Sequence, residues 1–139
     1  MSVPTPAEVN AFVTAEYPAM TASGFRCESM SPNRCVARWT LDASTLRPGG
    51  LISGPVQFTA ADLALWCLSF TVVGLQPMAV TSDLAITFLR PAAGGDLLAE
   101  ATLLRSGRSR ISGRVDIRVD GDVRLVSHAT GSYALLEAR

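Results

Sequence analysis

The sequence predicts an α+β domain, a curved antiparallel sheet wrapped around one long central helix over about residues 55–73, with a short helix near the N-terminus. Three observations carry that expectation. The stretch GPVQFTAADLALWCLSFTVV is apolar on almost every side, and a helix of that kind must be covered by other elements. From Pro77 onward the chain reads as strand-length segments separated by turn residues, with no further helical periodicity. Two more strand-length runs precede the helix, so a single helix is flanked on both sides by strands that can enclose it.

The elements follow in order. Residues 6–16, PAEVNAFVTAE, place Val9, Phe12 and Val13 at helical spacing behind Pro6, with Pro18 as the expected breaker. SGFRCESMS and NRCVARWTL are separated by a Pro-Asn turn and read as a hairpin. Asp42 to Gly50 is a polar loop bearing Pro and Gly. The central helix then opens on Ser53 and Gly54, residues suited to a cap, with Pro55 suited to the first helical position, and it ends at Gly74. In MAVTSDLAITFL, Met78, Val80, Leu84, Ile86 and Phe88 fall on one face, and Thr81, Asp83, Ala85 and Thr87 on the other. GDLLAEATLLRSG follows the Gly94-Gly95 turn. ISGRVDIRVD alternates Ile111, Val115, Ile117 and Val119 with polar residues. Asp120-Gly121-Asp122 is a hairpin turn, and DVRLVSHATGSYALL is the last strand.

Composition bounds the function. A chain of 139 residues, 48% hydrophobic and 17% charged, is expected to form one domain over 1–139 with a core of its own. Twelve basic and twelve acidic residues cancel, which argues against a nucleic-acid partner. The N-terminus has no basic start followed by an apolar core. The apolar run from Leu63 to Leu75 is interrupted by Ser69, Thr71 and Gly74 and reads as too short to span a bilayer. A cytoplasmic location and no membrane partner are the expectations. Cys27, Cys35 and Cys67 are an odd set in such a chain and read as free thiols, although Cys27 and Cys35 could face each other across the hairpin. One His and three scattered Cys make no zinc cluster, so neither a metal nor another cofactor is expected.

Asp62 stands out in the apolar helix. Either it satisfies a local polar group, or it is kept for chemistry, because a carboxylate surrounded by Phe58, Leu65 and Trp66 is a costly thing to bury. The predicted layout is that of the hotdog fold. GGLISGPVQFTAAD, AVTSDLAITFLRPAAGGDLLAEATLLRSGRS and VSHATGSYAL resemble the hotdog acyl-CoA thioesterases, and among them the phenylacetate-degradation (PaaI-like) type, related to 4-hydroxybenzoyl-CoA thioesterases. The resemblance covers roughly residues 45 to 136.

In that family a His-Gly-Gly step opens the central helix and an acid follows the first Gly by eight residues, a spacing that Gly54 and Asp62 keep. The resemblance implies that the Gly54 amide polarises the thioester carbonyl, that Asp62 activates water or attacks directly, and that Thr81 assists; Ser82, beside Thr81, is a further candidate for orienting water or the acyl group. Three positions depart from the pattern: the His is Ser53, the second Gly is Pro55, and the Asn or Gln seven residues before the key Gly is Arg47. Ser53 also reads simply as a helix cap, and Arg47 as a loop residue. Eight helical residues rise about 12 Å, so Gly54 and Asp62 of one chain cannot both touch one thioester. If they cooperate, they come from two subunits. A homodimer, or a dimer of dimers, is expected.

Other residues have both a plain and a functional reading. Arg108 and Arg110, and Arg90, are solvated turn residues or contacts to the phosphates of coenzyme A, which arginine forks suit. Phe58 and Trp66 flank Asp62 by one turn on either side, as core residues or as walls of the acyl site. His128, the only histidine, reads as a packed or exposed strand residue. The function expected is hydrolysis of a small, medium-chain or aromatic acyl-CoA. The alternatives are a hotdog protein that binds an acyl-CoA or acyl carrier without hydrolysis, and, less favoured for want of a His near the helix, a hydratase.

Overall fold

The computed structural model describes residues 2–136. Helix α1 (Pro6–Glu16) starts with a capping box: the Thr5 hydroxyl accepts from the Glu8 amide while the Glu8 carboxylate accepts from the Thr5 amide. It buries Val9 and Val13. It ends at Glu16, ahead of Pro18 as expected, but Pro18 also begins a second, unexpected six-residue helix, α2 (Pro18–Ser23), since proline is as acceptable in a first turn as it is disruptive later. Strands β1 (Phe25–Ser31) and β2 (Arg34–Trp39) form the expected hairpin. The loop that follows contains one 3-10 turn, Ala43–Thr45, and leads into α3 (Gly54–Val73). Strands β3 (Ala79–Phe88), β4 (Leu97–Ser106), β5 (Arg110–Val119) and β6 (Leu125–Leu135) complete a six-stranded antiparallel sheet in the order β1-β2-β4-β5-β6-β3.

Helix α3 packs against all six strands. Its fully buried Leu65, Leu68 and Phe70 meet Ile111, Val115 and Ile117 of β5 and Leu97 of β4 in one apolar core, as the absence of a polar face on the helix requires. Gly113 and Gly131 let the helix come that close. A Cβ at Gly113 would lie 2.7 Å from Leu68 Cδ2, and one at Gly131 would lie 2.7 Å from the Asp83 carbonyl and 2.9 Å from Leu65 Cδ1. The helix is also long and apolar enough, by length and composition, to cross a membrane, with a mean hydropathy of 1.5. The expectation drawn from residues 63–75 alone understated it. The sheet, not brevity, accounts for the helix, since 61% of that apolar window is buried in the fold.

Strand β3 corrects the sequence reading most. A single alternation puts Val80 inside and Thr81 outside, whereas Val80 is 43% exposed and the Thr81 hydroxyl reaches the central helix. The register with β6 shifts between Thr81 and Asp83, a bulge at Ser82 that reverses which parity faces inward. Ala79 and Thr81 face α3 before it, and Leu84 and Ile86 face it after. The cysteines do not pair: Cys27 lies opposite Ala37, Cys35 lies opposite Met30, and all three thiols are free and buried.

Candidate active site

The start of α3 supplies one uncommitted donor. Ser53 caps the helix, its hydroxyl accepting from the Val56 amide, and its carbonyl accepts from the Gln57 amide. Pro55 has no N–H to offer. Of the orphan amides of the first turn, the Gly54 N–H therefore remains, with no acceptor among the described residues. It opens onto a groove of about 520 Å³ whose lining includes Arg47, Ile52, Gln57, Phe88 and Arg90. A Cβ there would stand 3.1 Å from the exposed Phe88 ring, a tight contact that the ring relieves by a small shift. An amide at the positive end of a helix suits the negative charge that grows on a carbonyl oxygen under attack.

Asp62 lies two turns further along α3, half-buried rather than enclosed in the apolar centre. Its Oδ1 is held from two sides: the Thr81 hydroxyl donates at 2.6 Å and the Tyr133 hydroxyl at 2.7 Å, the latter also lying 2.8 Å from the Asp62 carbonyl. Burial, and then the Asp62 carboxylate, push the Tyr133 pKa up, so the phenol stays protonated and donates. No hydrogen bond among the described residues reaches Oδ2. The carboxylate thus has one oxygen fixed and one open, the arrangement of a group that takes a proton from, or adds to, something placed before it. Tyr133 went unnoticed in the sequence. Its signal was an inward-facing aromatic with a polar tip that needs a partner once buried.

Within one chain the two halves stay apart, as the helical rise requires. The Thr81 row of the sheet runs through Tyr133 to Ile111, while Phe88, beside Gly54, pairs with Ser127 toward the other end of the strands. Arg47 and Arg90 belong to the Gly54 half. Arg47 sits in a short bridge with Leu51, and the Arg90 guanidinium donates to the Leu125 carbonyl. Arg108 and Arg110 are exposed on the β4–β5 hairpin, and Arg110 pairs with Ala134, next to Tyr133, so they belong to the Asp62 end. Ser82 is the exposed bulge residue and bonds neither oxygen of Asp62 among the described contacts. Phe58 is 40% exposed. Trp66 points elsewhere, its ring clustered with Phe12, Tyr17 and Phe70 under the N-terminal helices, which makes it a packing residue in this chain. The His128 Nδ1–H donates at 2.7 Å to the Asp116 carboxylate on the adjacent strand, and, alternating with the buried Ser127 and Ala129, it lies on the sheet face turned away from α3. Among the described residues no cluster of metal-ligating side chains occurs.

Comparison with known proteins agrees with this fold. Over 99% of this chain and 95% of the other, the fold superposes on a crystal structure of a candidate thioesterase from Silicibacter sp. TM1040, with a TM-score of 0.89 and 27% identity. The PaaI protein from the phenylacetic acid degradation operon of E. coli superposes with a TM-score of 0.81 at 25% identity, covering 98% of this chain and 97% of that one. A candidate esterase of Saccharolobus solfataricus is 27% identical over 111 residues, 80% of this chain and 78% of its own. Residues 49–126, which run from the loop before the helix into the last strand, match the thioesterase superfamily. With the hotdog fold, the helix-tip amide and the clamped carboxylate in place, the chain belongs to the thioesterase superfamily and is a thioester hydrolase.

Proposed function

We propose that the protein hydrolyses a small, medium-chain or aromatic acyl-CoA, with Asp62 of one subunit and the Gly54 amide of its partner acting on the same thioester. The observation that carries this is the state of Asp62: Oδ1 held by Thr81 and Tyr133, and Oδ2 open. Water placed at Oδ2 gives up a proton to the carboxylate as its oxygen bonds to the thioester carbon. The carbonyl π pair moves onto oxygen, where the Gly54 N–H stabilises it. Collapse of the tetrahedral species re-forms the carbonyl and breaks the C–S bond, and the thiolate leaves with a proton, as coenzyme A. No step calls for a metal or a redox cofactor.

The free edge of β3 supports the dimer. Among the described strands β3 pairs only with β6, and its exposed Val80 and Phe88, with neighbouring Met78, are the kind of edge that proteins cover. Antiparallel pairing of two such edges about a two-fold axis sets the Thr81 end of one strand against the Phe88 end of the other. Asp62 then approaches the partner's Gly54, and Arg108 and Arg110 approach the partner's groove with its Arg47 and Arg90. Those four arginines are the phosphate contacts in this reading.

The test is a panel of acyl-CoA esters with free thiol as the readout. Asp62→Asn should lower kcat by at least about a hundredfold, in the range of a lost general base, with circular dichroism and oligomeric state unchanged. Undiminished turnover in that variant would remove Asp62 from the mechanism.

A further inference from the structure

Gln57 is only 4% exposed, and one of its two polar atoms is unpaired. Its Nε2 donates to the Ile52 carbonyl at 3.2 Å. Because a carbonyl can only accept, the nitrogen must face Ile52 and the oxygen is the unpaired atom, shielded in the folded chain and presented to the groove by a turn of the carboxamide. That Oε1 finds no donor among the described residues. A buried acceptor of this kind is costly and uncommon, and it fits a place where a ligand brings the donor. Gln57 lines the same groove as Gly54, three residues along the helix and so on the same face. Its bond to Ile52, two residues before Gly54, folds the carboxamide back onto the helix tip.

We propose that Gln57 selects thioesters whose acyl group carries a hydroxyl on the third carbon, a 3-hydroxyacyl group, by accepting its hydrogen bond. The inference rests on the thioesterase reading above and deepens it. With the thioester oxygen on the Gly54 amide, the pantetheine arm leaves toward the exposed Arg47 and Arg90, and the acyl group takes the buried side, where Gln57 stands. A simple acyl chain offers no donor and leaves Oε1 unpaired, whereas a hydroxyl two carbons from the carbonyl offers one close to the helix tip. A hydroxyl at the far end of a ring or a long chain lies too far from that tip.

The experiment compares kcat/KM for 3-hydroxybutyryl-CoA and butyryl-CoA in the unaltered protein and in Gln57→Leu. The unaltered protein should prefer the hydroxylated ester by about tenfold or more, the range set by one buried hydrogen bond, and Gln57→Leu should bring the ratio to within about twofold of one. Equal rates in the unaltered protein overturn the inference, as does a variant that loses both substrates in proportion, because the acceptor then serves a part that both esters share. Should the leucine variant fail to fold, Gln57→Met is read in the same way. Absence of thiol release from every ester would count against the hydrolase reading instead, and the inference would then stand or fall on whether calorimetry finds the same preference in binding.

Discussion

Tyr133 and Thr81 show how one carboxylate can be fixed without being enclosed. Two hydroxyls converge on Asp62 Oδ1, and each bond to a charged acceptor is worth more than a neutral one. Removing the phenol leaves Asp62 free to turn its open oxygen away from the substrate. Tyr133→Phe should therefore lower kcat about ten- to a hundredfold, the equivalent of one bond to a charged group, while KM for the acyl-CoA stays within about twofold. A parallel rise in KM would show that the tyrosine shapes the binding site instead of orienting the carboxylate. Asp62 could be singled out in the sequence because an ionisable residue in an apolar helix has few reasons to be there, and Gly54 only through the family resemblance. Tyr133 was not, since 71 residues separate it from Asp62 and only strand register brings them together. Gln57 was hidden for a similar reason: a glutamine near a helix start looks like surface until its burial is known.

At the level of the elements, each helix and strand boundary marked by a cap, a turn glycine or strict alternation could be read in advance. The exceptions were α2, a single short helix behind a proline taken only as a breaker, and β3, where the bulge at Ser82 changes the inward parity partway along. No local signal marks an extra residue in a strand whose two faces are both mixed. The same close fit between helix and sheet makes the small residues of β5 and β6 sensitive. Gly131→Ala would bring a Cβ to 2.7 Å from the Asp83 backbone carbonyl, which moves only with its strand, and should cost about 1–3 kcal/mol of stability, measured by urea denaturation. Gly113→Ala should cost less, because its closest neighbours are the ends of Leu68 and Leu65 side chains. The reverse order would mean that the helix, and not the bulged strand, is the rigid partner.

Across the whole molecule, Arg38 ties distant segments together. Its guanidinium meets Glu28 of β1 at 2.6 Å, Asp96 before β4 at 3.1 Å and Asp120 after β5 at 2.9 Å. Arg38 holds the Glu28 pKa below its ordinary 4.5, and the Leu41 amide followed by Arg38 holds that of Asp96 below its ordinary 3.8. Carboxylates lowered in the folded state stabilise it above their unfolded values, and that contribution is lost as pH falls through the folded ones. The urea midpoint should therefore drop between about pH 5 and pH 3, and Arg38→Met should flatten part of that slope. An unchanged slope would place the acid sensitivity elsewhere. The edge of β3 belongs to this scale too: Val80→Lys should yield a monomer by sedimentation that releases no thiol, whereas an active monomer would end the shared-site reading.

A single helix that carries both the amide tip and the carboxylate, about 12 Å apart, has a genetic consequence. Two defective chains can repair each other. Asp62→Asn and Gly54→Pro, the latter deleting the N–H at a position where proline is tolerated, should each be inactive alone. Unfolded together and refolded at equal concentration, they should form mixed dimers in which one site unites both mutated halves and the other unites both intact ones. Random assortment would then return roughly a quarter of the native turnover.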